Sequence, residues 1–462
     1  MENRLRPFLK SLVLLAAVLA GGFVHAAPPV APPAAPTLPA SAPSATAASQ
    51  AAAVSASAKR IYERSRGQLL QIRTLLKTQD SQASVGSGFL VSEDGRIITN
   101  YHVVSQFALE PERYRLRFAT TDGQDGALEL LDIDVRRDLA ILRAVPADAK
   151  VLQGRGALSF RPRNEPLSKG DRIYSLGNPH DVAFSIVEGN YNGLVERSFD
   201  SLIYYAGSIN AGMSGGPVVD EEGRVVGVNV SAMFFAQQMS FLVPGNFAED
   251  LFQRSRDAKP INGAVWSRLR QQLTAYQDEL TKRFISQPWR SAGHERYQLP
   301  VPQEEFMRCW GAGSATDTKG LDYQRSQCRM DHALYVSGGL QLGYLDMSHE
   351  IYDGHKLGVL RFAQQYSNSF RNERFTRSSK TSTGAFCKEE FVDRAGLPLR
   401  AVVCLSAYRK LEGLYSLSVL VTTVDSSTEG ALGRFNAPGV SFENALKLTS
   451  HYLEGFAWTQ KK

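Results

Sequence analysis

The sequence predicts a chain with two folded parts: an all-β barrel or sandwich over about residues 60–250, and an α+β region over about residues 290–462. Three observations indicate this division. The chain has 462 residues, which is long for one domain. Short β-rich runs alternate with glycine turns in the first part. After about residue 260, the apolar spacing changes from that of strands to that of a helix.

The turns of the first part follow one recurring arrangement. In "GSGFLVSEDGRIITNYHVV", the run "GSGFLVS" is followed by the turn "EDG" and the run "RIIT". The segment "PVVDEEGRVVGVNV" repeats this arrangement. An acidic residue and a glycine between β-rich runs are typical of a hairpin. Because further short runs such as "DLAILRAV" and "DRIYSLGNP" lie between these segments, we expect many strands and few helices.

A single amphipathic helix is predicted at the junction of the two parts. In "AVWSRLRQQLTAYQDELTKRFI", apolar side chains recur at three- and four-residue steps. These side chains are Val265, Leu269, Leu273, Tyr276, Leu280 and Phe284. The region beyond it contains the β-rich runs "LPLRAVVCLSAY" and "YSLSVLVTTV" and a final helical segment near "SFENALKLTSHYLEGFA". We therefore expect a connecting helix within 256–288 and a C-terminal α+β domain of unknown role over 289–462.

The N-terminus has the composition of an export signal. A basic start is followed by the apolar run "SLVLLAAVLAGGFV" and by small residues at Val24 and Ala26, which predicts a signal peptide over 1–26. An uncleaved anchor is the alternative, although the run is shorter than the about 20 residues of a membrane span. Residues 27–58 are nearly all Ala, Pro, Ser and Thr and predict an extended tether. We expect an exported protein, periplasmic or secreted, with no membrane span beyond the signal segment.

Charge and cysteine content limit the partners. The net charge of +6 is modest for this length, and the chain contains no Lys/Arg block of the kind that binds nucleic acid. All four cysteines lie in the C-terminal part, and export makes disulfides the natural expectation. The pairing Cys309–Cys328 with Cys387–Cys404 closes the shortest loops. Metal binding is the alternative, but the spacing lacks the close Cys pairs of zinc sites.

Ser214, in the string "GMSGGP", is the candidate nucleophile. Acyl transfer by serine needs a base, a group that orients the base, and fixed donors for the oxyanion. Small neighbours let a substrate backbone approach the hydroxyl. The backbone N–H groups of Gly212 and Ser214 are the expected oxyanion donors.

His102 and Asp138 are the candidate base and orienting acid. His102 lies just past the β-rich run "IIT" in "IITNYHVV", a setting that the other histidines after the signal segment lack. Asp138 immediately precedes the apolar run "LAIL", which predicts a buried strand. A carboxylate at that position needs a partner because burial of a lone charge is costly. Asp132 and Asp134 are alternatives, but they alternate with apolar residues as on the solvent face of a strand.

Several segments together resemble a known family. "GSGFLVSEDGRIITNYHVV", "RRDLAILR", "SLGNP", "EGNYNGLV", "INAGMSGGPVVDEEGRVVGVN" and "MSFLVP" occur in the order found in trypsin-like serine proteases of the HtrA (Deg) type. The resemblance covers about residues 80–250. It implies an all-β chymotrypsin/trypsin-like double β-barrel over 59–255, with His102 as general base, Asp138 as orienting group and Ser214 as nucleophile in the cleft between the barrels.

The sequence also departs from that family. Met213 precedes the serine, and a methionine cannot form the buried ion pair with a new N-terminus that activates trypsin-like zymogens. The resemblance places Ser208 at the base of the primary specificity pocket, with Ile209, Met239 and Phe241 nearby. No carboxylate is present there, so we expect cleavage after apolar or small residues. The C-terminal part contains no recognisable PDZ domain, although "HKLGVL" resembles one short element of such a domain.

These patterns predict a serine endopeptidase acting on proteins or peptides through an acyl-enzyme intermediate. The mechanism requires no metal or organic cofactor. A non-enzymatic binding protein on an inactive protease scaffold is the alternative, because loop geometry can misalign an intact set of residues. An α/β-hydrolase esterase fits poorly, since that fold places the serine first and the histidine last in the chain. The oligomeric state is left open.

Overall fold

The computed structural model describes residues 55–232, 239–291, 294–303, 306–315, 320–370 and 378–459. The predicted signal segment and nearly all of the predicted tether lie outside these residues. Helix α1 (Ala56–Ser65) occupies the last three positions of that tether and is capped by Ser55, whose side chain accepts the N–H of Ala58. No helix in the described parts of the chain is both long and apolar enough to cross a membrane.

The first barrel is a closed antiparallel sheet in the order β1-β2-β3-β6-β5-β4. Its elements are β1 (Leu69–Leu76), β2 (Gln82–Leu90), β3 (Arg96–Asn100), helix α2 (Tyr101–Leu109), β4 (Tyr114–Thr120), β5 (Asp125–Asp134) and β6 (Leu139–Ala144). The "EDG" turn joins β2 to β3, as the sequence predicts, with Phe89 opposite Ile98. Helix α2 begins where β3 ends, so the end of this strand positions the first turn of the helix.

The second barrel is also closed, in the order β10-β11-β12-β9-β8-β7. Its strands are β7 (Arg172–Gly177), β8 (Ser185–Leu194), β9 (Ile203–Ala206), β10 (Pro217–Val219), β11 (Val225–Ala232) and β12 (Ser240–Pro244), followed by helix α3 (Gly245–Arg254). Strand β10 follows the "GMSGG" loop directly and pairs with β7 and β11. The double β-barrel predicted from the sequence is confirmed.

Helix α4 (Trp266–Ile285) lies within the predicted connecting segment. The six apolar residues that predict its inner face are all buried, from Val265 just before the helix to Phe284 in its last turn. The helix packs on the C-terminal region, against the strand Glu429–Ser441 and the helix Phe442–Glu454.

The C-terminal region has α+β composition and is dominated by strands, as expected. The small elements at its start are β13 (Arg290–Ser291), β14 (Tyr297–Gln298) and β15 (Pro300–Val301). Next come β16 (Met307–Gly313), β17 (Asp322–Met330), β18 (Leu334–Ser337), β19 (Leu340–Leu342), β20 (Asp346–Asp353) and α5 (Val359–Ser369). The chain ends with β21 (Phe386–Arg394), β22 (Leu397–Ala407), β23 (Leu414–Thr423), β24 (Glu429–Ser441), α6 (Phe442–Glu454) and β25 (Ala457–Trp458).

Seven of these strands form one antiparallel sheet in the order β16-β17-β20-β24-β23-β22-β21, while β18 and β19 form a separate hairpin. The sheet carries both disulfides, Cys309–Cys328 between β16 and β17 and Cys387–Cys404 between β21 and β22. These are the pairs that the sequence predicts. Each disulfide links an edge strand to its neighbour, and its two cysteines lie directly opposite each other in the strand register.

One hydrophobic core runs without interruption from the first barrel into the C-terminal region. Buried side chains of β1 and α2, such as Leu70 and Val104, belong to the same cluster as Leu273 of α4 and Phe435 of β24. The domain boundaries drawn from the sequence stay a prediction. The shared core places the C-terminal region directly against the helix that carries His102.

Candidate active site

Asp138 lies in the turn between β5 and β6, and the start of α2 holds its backbone. The Asp138 carbonyl oxygen accepts the N–H of Tyr101 at 3.0 Å and the Asn100 side-chain amide at 2.8 Å. Asp138 has a positive φ of 52°, which residues with a Cβ adopt infrequently. The two hydrogen bonds from the end of β3 hold this conformation, which turns the carboxylate back towards His102.

His102 stands in the first turn of α2 and contacts both carboxylate oxygens of Asp138. Its backbone N–H donates to Oδ1 at 2.8 Å, and its ring Nδ1 lies 2.5 Å from Oδ2. A carboxylate only accepts hydrogen bonds, so Nδ1 carries the proton in the neutral ring and Nε2 is left as the basic nitrogen. This is the tautomer that a general base needs.

The pKa of His102 results from two opposing effects. Burial lowers the pKa, because an imidazolium loses hydration there. The charge of Asp138 and its hydrogen bond raise the pKa by more, so that it lies above its ordinary value. The pair therefore favours proton uptake by His102.

Ser214 lies in the loop before β10, with its hydroxyl turned to the second barrel. Its Oγ donates to the Val230 carbonyl at 3.4 Å, a long contact. Its backbone carbonyl accepts the N–H of Ser87 at 2.7 Å, which fixes the loop to β2. Among the contacts of the described residues, Ser214 Oγ makes no hydrogen bond to His102.

Hydrogen bonds of the preceding carbonyl groups orient the N–H groups of Gly212 and Ser214. The Ala211 carbonyl accepts the N–H of His180 at 2.7 Å, and the Met213 carbonyl accepts from Gly216 at 3.0 Å. In a trans peptide the N–H points away from the carbonyl, so the following N–H groups, on Gly212 and Ser214, point away from these bonds. Neither N–H has an acceptor among the described residues. Two unpaired donors on one loop form an anion-binding arrangement.

Gly212 is required by this geometry. Its φ is +94°, and a Cβ there would lie 2.4 Å from the Asn178 carbonyl oxygen. The Gly212 carbonyl accepts the hydroxyl of buried Ser87 at 2.7 Å, while Ser87 Oγ accepts the N–H of Asn178 at 2.9 Å. Ser87 therefore joins β2 to the loop of Gly212 and to the segment of Asn178 that follows β7. This role of Ser87 was not predicted from the sequence, although a serine between two glycines in "GSG" was a signal for it.

The residues expected at the specificity pocket lie in different environments. Ser208 is exposed, and Met239 and Phe241 are half-buried. Ile209 is buried in the core of the second barrel together with Met213, and its N–H donates to Ser240 Oγ of β12 at 3.1 Å. Ile209 therefore supports the pocket segment from within the barrel, and the role of all four residues in specificity stays a prediction. Buried Met213 occupies an apolar position.

The two alternative acids bind other partners. Asp132 accepts from Arg268 of α4 at 2.5 Å, and Asp134 accepts from Arg254 of α3 at 3.1 Å. Within the described residues, neither carboxylate contacts His102. The described residues also contain no cluster of three or more His, Cys, Asp or Glu side chains arranged to hold a metal ion.

The C-terminal region also reaches the site, a contact that was not predicted from the sequence. The ring of Tyr335 in β18 packs edge-on to the His102 ring, with centroids 5.9 Å apart. Burial lowers the pKa of His332, just before β18, and the charges of Asp200 and Asp138 oppose this only in part. Residues more than 190 positions beyond Asp138 in the chain thus contribute to its surroundings.

Comparison with known proteins defines the class of the barrels. Residues 86–228 match the trypsin-like peptidase domain family, and this match includes His102, Asp138 and Ser214. The two barrels therefore form a trypsin-like peptidase domain.

Its relatives include serine proteases of the HtrA and DegP type. The serine protease HTRA1 of Xenopus laevis is 30% identical over 39% of this chain and 38% of its own length. A probable periplasmic serine endoprotease, DegP-like, of Chlamydia pneumoniae is 32% identical over 34% of this chain and 30% of its own length. The chain thus spans about a third of the length of these two curated relatives. The crystal structure of the serine endoprotease from Yersinia pestis aligns with a TM-score of 0.37 and 22% identity, over 44% of this chain and 67% of that one.

Proposed function

We propose that this chain is a serine endopeptidase in which Ser214 is the nucleophile, His102 the general base and Asp138 the group that orients the base. One arrangement carries the proposal: the Asp138 carboxylate holds His102 in the basic tautomer, while the N–H groups of Gly212 and of Ser214 itself are unpaired among the described residues. These are the parts that acyl transfer needs. The peptidase relatives support the same reaction class.

Acylation begins with rotation of the Ser214 side chain. Its hydroxyl releases the long hydrogen bond to Val230 and turns towards Nε2 of His102. As Oγ attacks the scissile carbonyl carbon, Nε2 takes the hydroxyl proton, and Asp138 stabilises the imidazolium through Nδ1. The C–N bond then breaks, and His102 gives the proton to the leaving amine.

The N–H groups of Gly212 and Ser214 act on the oxygen of the tetrahedral intermediate. Because they are already oriented, they stabilise the negative charge without reorganising in the transition state. Deacylation repeats the sequence with water as nucleophile: His102 takes a proton from water and returns it to Ser214 Oγ. The carboxylic acid product leaves and the enzyme is restored.

We infer that substrates are proteins or peptides with an apolar or small residue before the cleaved bond. Exposed Ser208 carries no charge to pair with lysine or arginine, and half-buried Met239 and Phe241 follow it in the same barrel. We also propose export through the segment over 1–26, with cleavage after Ala26. The two disulfides fit an oxidising compartment, and a periplasmic relative supports this location.

Labelling with a fluorophosphonate probe, alongside cleavage of an unfolded protein, tests the proposal. The wild-type chain should label and cleave, while Ser214→Ala should lose labelling and at least about 10⁴-fold of turnover. The exposed Ser201 lies in the same barrel, so Ser201→Ala is the matched control and should behave as wild type.

The rival function is a binding protein on an inactive scaffold, and the contact from Ser214 Oγ to Val230 is the observation that favours it. Under that hypothesis, the wild type neither labels nor cleaves, and Ser214→Ala is indistinguishable from it. Labelling in solution separates the two cases because the probe captures any serine that can turn towards the base.

A further inference from the structure

The hairpin of β18 and β19 belongs to the C-terminal region but packs on α2 of the peptidase domain. The Tyr101 hydroxyl of α2 donates to the Val336 carbonyl at 3.0 Å, and Leu334 and Val336 are fully buried. Burial raises the pKa of Tyr101 far above its ordinary value, so this hydroxyl stays a donor. The hairpin is thus attached next to His102 by a backbone contact and by apolar side chains.

Tyr335 lies between these two anchoring residues, and alternation along a strand points its side chain to the opposite face. Its ring meets the His102 ring at an interplanar angle of 69° and the Tyr101 ring at 68°. Edge-to-face contacts of this kind are attractive beyond the area that they bury. Tyr335 is half-buried and makes this contact from outside the peptidase domain.

We propose that Tyr335 is a positioning residue for the imidazole of His102, an inference that rests on the proposed function. Asp138 holds His102 by one ring edge, through Nδ1. A hydrogen bond at one edge leaves the ring free to tilt about that contact, and the Tyr335 ring packed beside it restricts the tilt. Nε2 is thereby kept towards the space where the Ser214 hydroxyl must turn. The active site is complete only with a side chain from the C-terminal region.

This role can be separated from docking of the hairpin. Docking depends on buried Leu334 and Val336 and on the bond from Tyr101 to the β18 backbone, all of which remain when the ring contact between Tyr335 and Tyr101 is removed. Truncation of Tyr335 therefore leaves the hairpin in place while freeing the imidazole. A tyrosine in a similar setting far from the site gives a matched control: Tyr415 of β23 is half-buried and packs edge-on to Phe442, with centroids 6.3 Å apart.

The kinetic test compares Tyr335→Ala, Tyr335→Phe and Tyr415→Ala in the full chain with one peptide substrate. We expect Tyr335→Ala to lower kcat about three- to tenfold, the size of one aromatic contact, with KM unchanged. Tyr335→Phe should retain kcat because it keeps the ring, and Tyr415→Ala should match wild type. The proposal is overturned if Tyr335→Ala keeps full kcat, if only KM rises, or if Phe fails to rescue.

A second measurement does not depend on turnover. The Nδ1 proton of His102, shared with Asp138 at 2.5 Å, should give a far-downfield proton resonance, assigned by its loss in His102→Gln. In Tyr335→Ala this signal should broaden through faster exchange with water, whereas in Tyr415→Ala it should be unchanged. An unaltered signal in Tyr335→Ala overturns the positioning role. A wild type that shows this signal but no activity counts against the proposed function alone.

Discussion

Two histidine–aspartate pairs occur among the residues that the structure describes, and they differ in surroundings more than in contact distance. In the peptidase domain, His102 Nδ1 lies 2.5 Å from Asp138, and the two side chains are 28% and 14% exposed. In the C-terminal region, His355 Nδ1 lies 2.7 Å from Asp353, and the two side chains are 58% and 59% exposed. In both pairs the backbone N–H of the histidine also donates to the aspartate carboxylate, at 2.8 Å for His102 and 2.9 Å for His355.

The difference teaches that an imidazole beside a carboxylate is not in itself a site. Asp353 is only two residues from His355, so a local turn is enough to form that pair, and water screens it. The pair of His102 and Asp138 joins residues 36 positions apart, is packed against Tyr335, and stands beside a serine loop with two unpaired N–H groups. The surroundings turn the same contact into a candidate catalytic base.

Removal of each histidine gives the strongest contrast. We expect His102→Ala to lower kcat at least about 10⁴-fold, because the serine loses its base, and His355→Ala to stay within about twofold of wild type. Steady-state kinetics with one peptide substrate measure both. Equal losses in the two variants would mean that the comparison is wrong and that both changes act through folding, which circular dichroism of each variant would reveal.

Replacement of each aspartate by asparagine tests orientation without removing the ring. Asp138→Asn places an amide beside Nδ1, which favours the wrong tautomer, so we expect a fall in kcat of about 10⁴-fold. Asp353→Asn should leave kcat within about twofold. If Asp138→Asn retained a tenth or more of wild-type activity, Asp138 would not be the orienting group.

The dependence of activity on pH sharpens the comparison. The pKa of His102 is raised above its ordinary value, and catalysis needs the neutral ring, so the acidic limb of kcat/KM should have its midpoint above about pH 6.5 and fall about tenfold per pH unit below it. His355→Ala should not move this midpoint.

The free energy of unfolding should change with pH in the direction opposite to that of kcat/KM. A folded-state pKa above the unfolded one means that the protonated pair adds stability below about pH 6.5, and that this contribution is lost as the pH rises through the folded pKa. Urea unfolding of wild type and His102→Gln from pH 5 to 9 measures the difference. A difference that grows with pH would contradict the raised pKa.

Patterns near in sequence were predictable from the chain alone. The six apolar positions of the α4 pattern are all buried, since a 3.6-residue period fixes one face of a helix. The barrels follow from the order of turn and strand motifs, and both cysteine pairs lie opposite each other on adjacent strands.

Contacts between distant segments were not predictable. Nothing in the period of "LYVS" indicates that Tyr335 meets His102, because the partners lie 233 positions apart and depend on how the C-terminal sheet docks. The Ser214 rotamer could not be predicted from the sequence either, since a hydroxyl can rotate to bond any of several acceptors at little cost in free energy. Helix α1 begins inside the predicted tether because Ser55 caps it and Ile61 finds a buried position.

The loop that carries Asp138 is held by Asp200 and by α4. Breaking the contacts with Asp200 should make the buried pair of His102 and Asp138 behave more like the exposed pair of His355 and Asp353. Asp200 is 2% exposed and accepts from Arg136 at 2.6 Å and also from Arg137, the two residues just before Asp138. Arg136 also pairs with Glu279 of α4 at 2.5 Å. Burial lowers the pKa of Arg136, but together these carboxylates raise the pKa by more, so that it lies above its ordinary value. Asp200→Ala leaves two partly buried arginines without their shared acceptor.

We expect Asp200→Ala to lower the free energy of unfolding by about 2–3 kcal/mol, because loss of one partner leaves charge uncompensated in a poorly hydrated place. It should also lower kcat/KM about tenfold, since Asp138 is no longer held against His102. Asp94→Ala removes an exposed partner of Arg96 and should cost at most about 0.5 kcal/mol, with full activity. Urea unfolding and steady-state kinetics measure both variants. A loss of stability with unchanged kcat/KM would show that Asp200 supports the fold of this loop but not the geometry of the base.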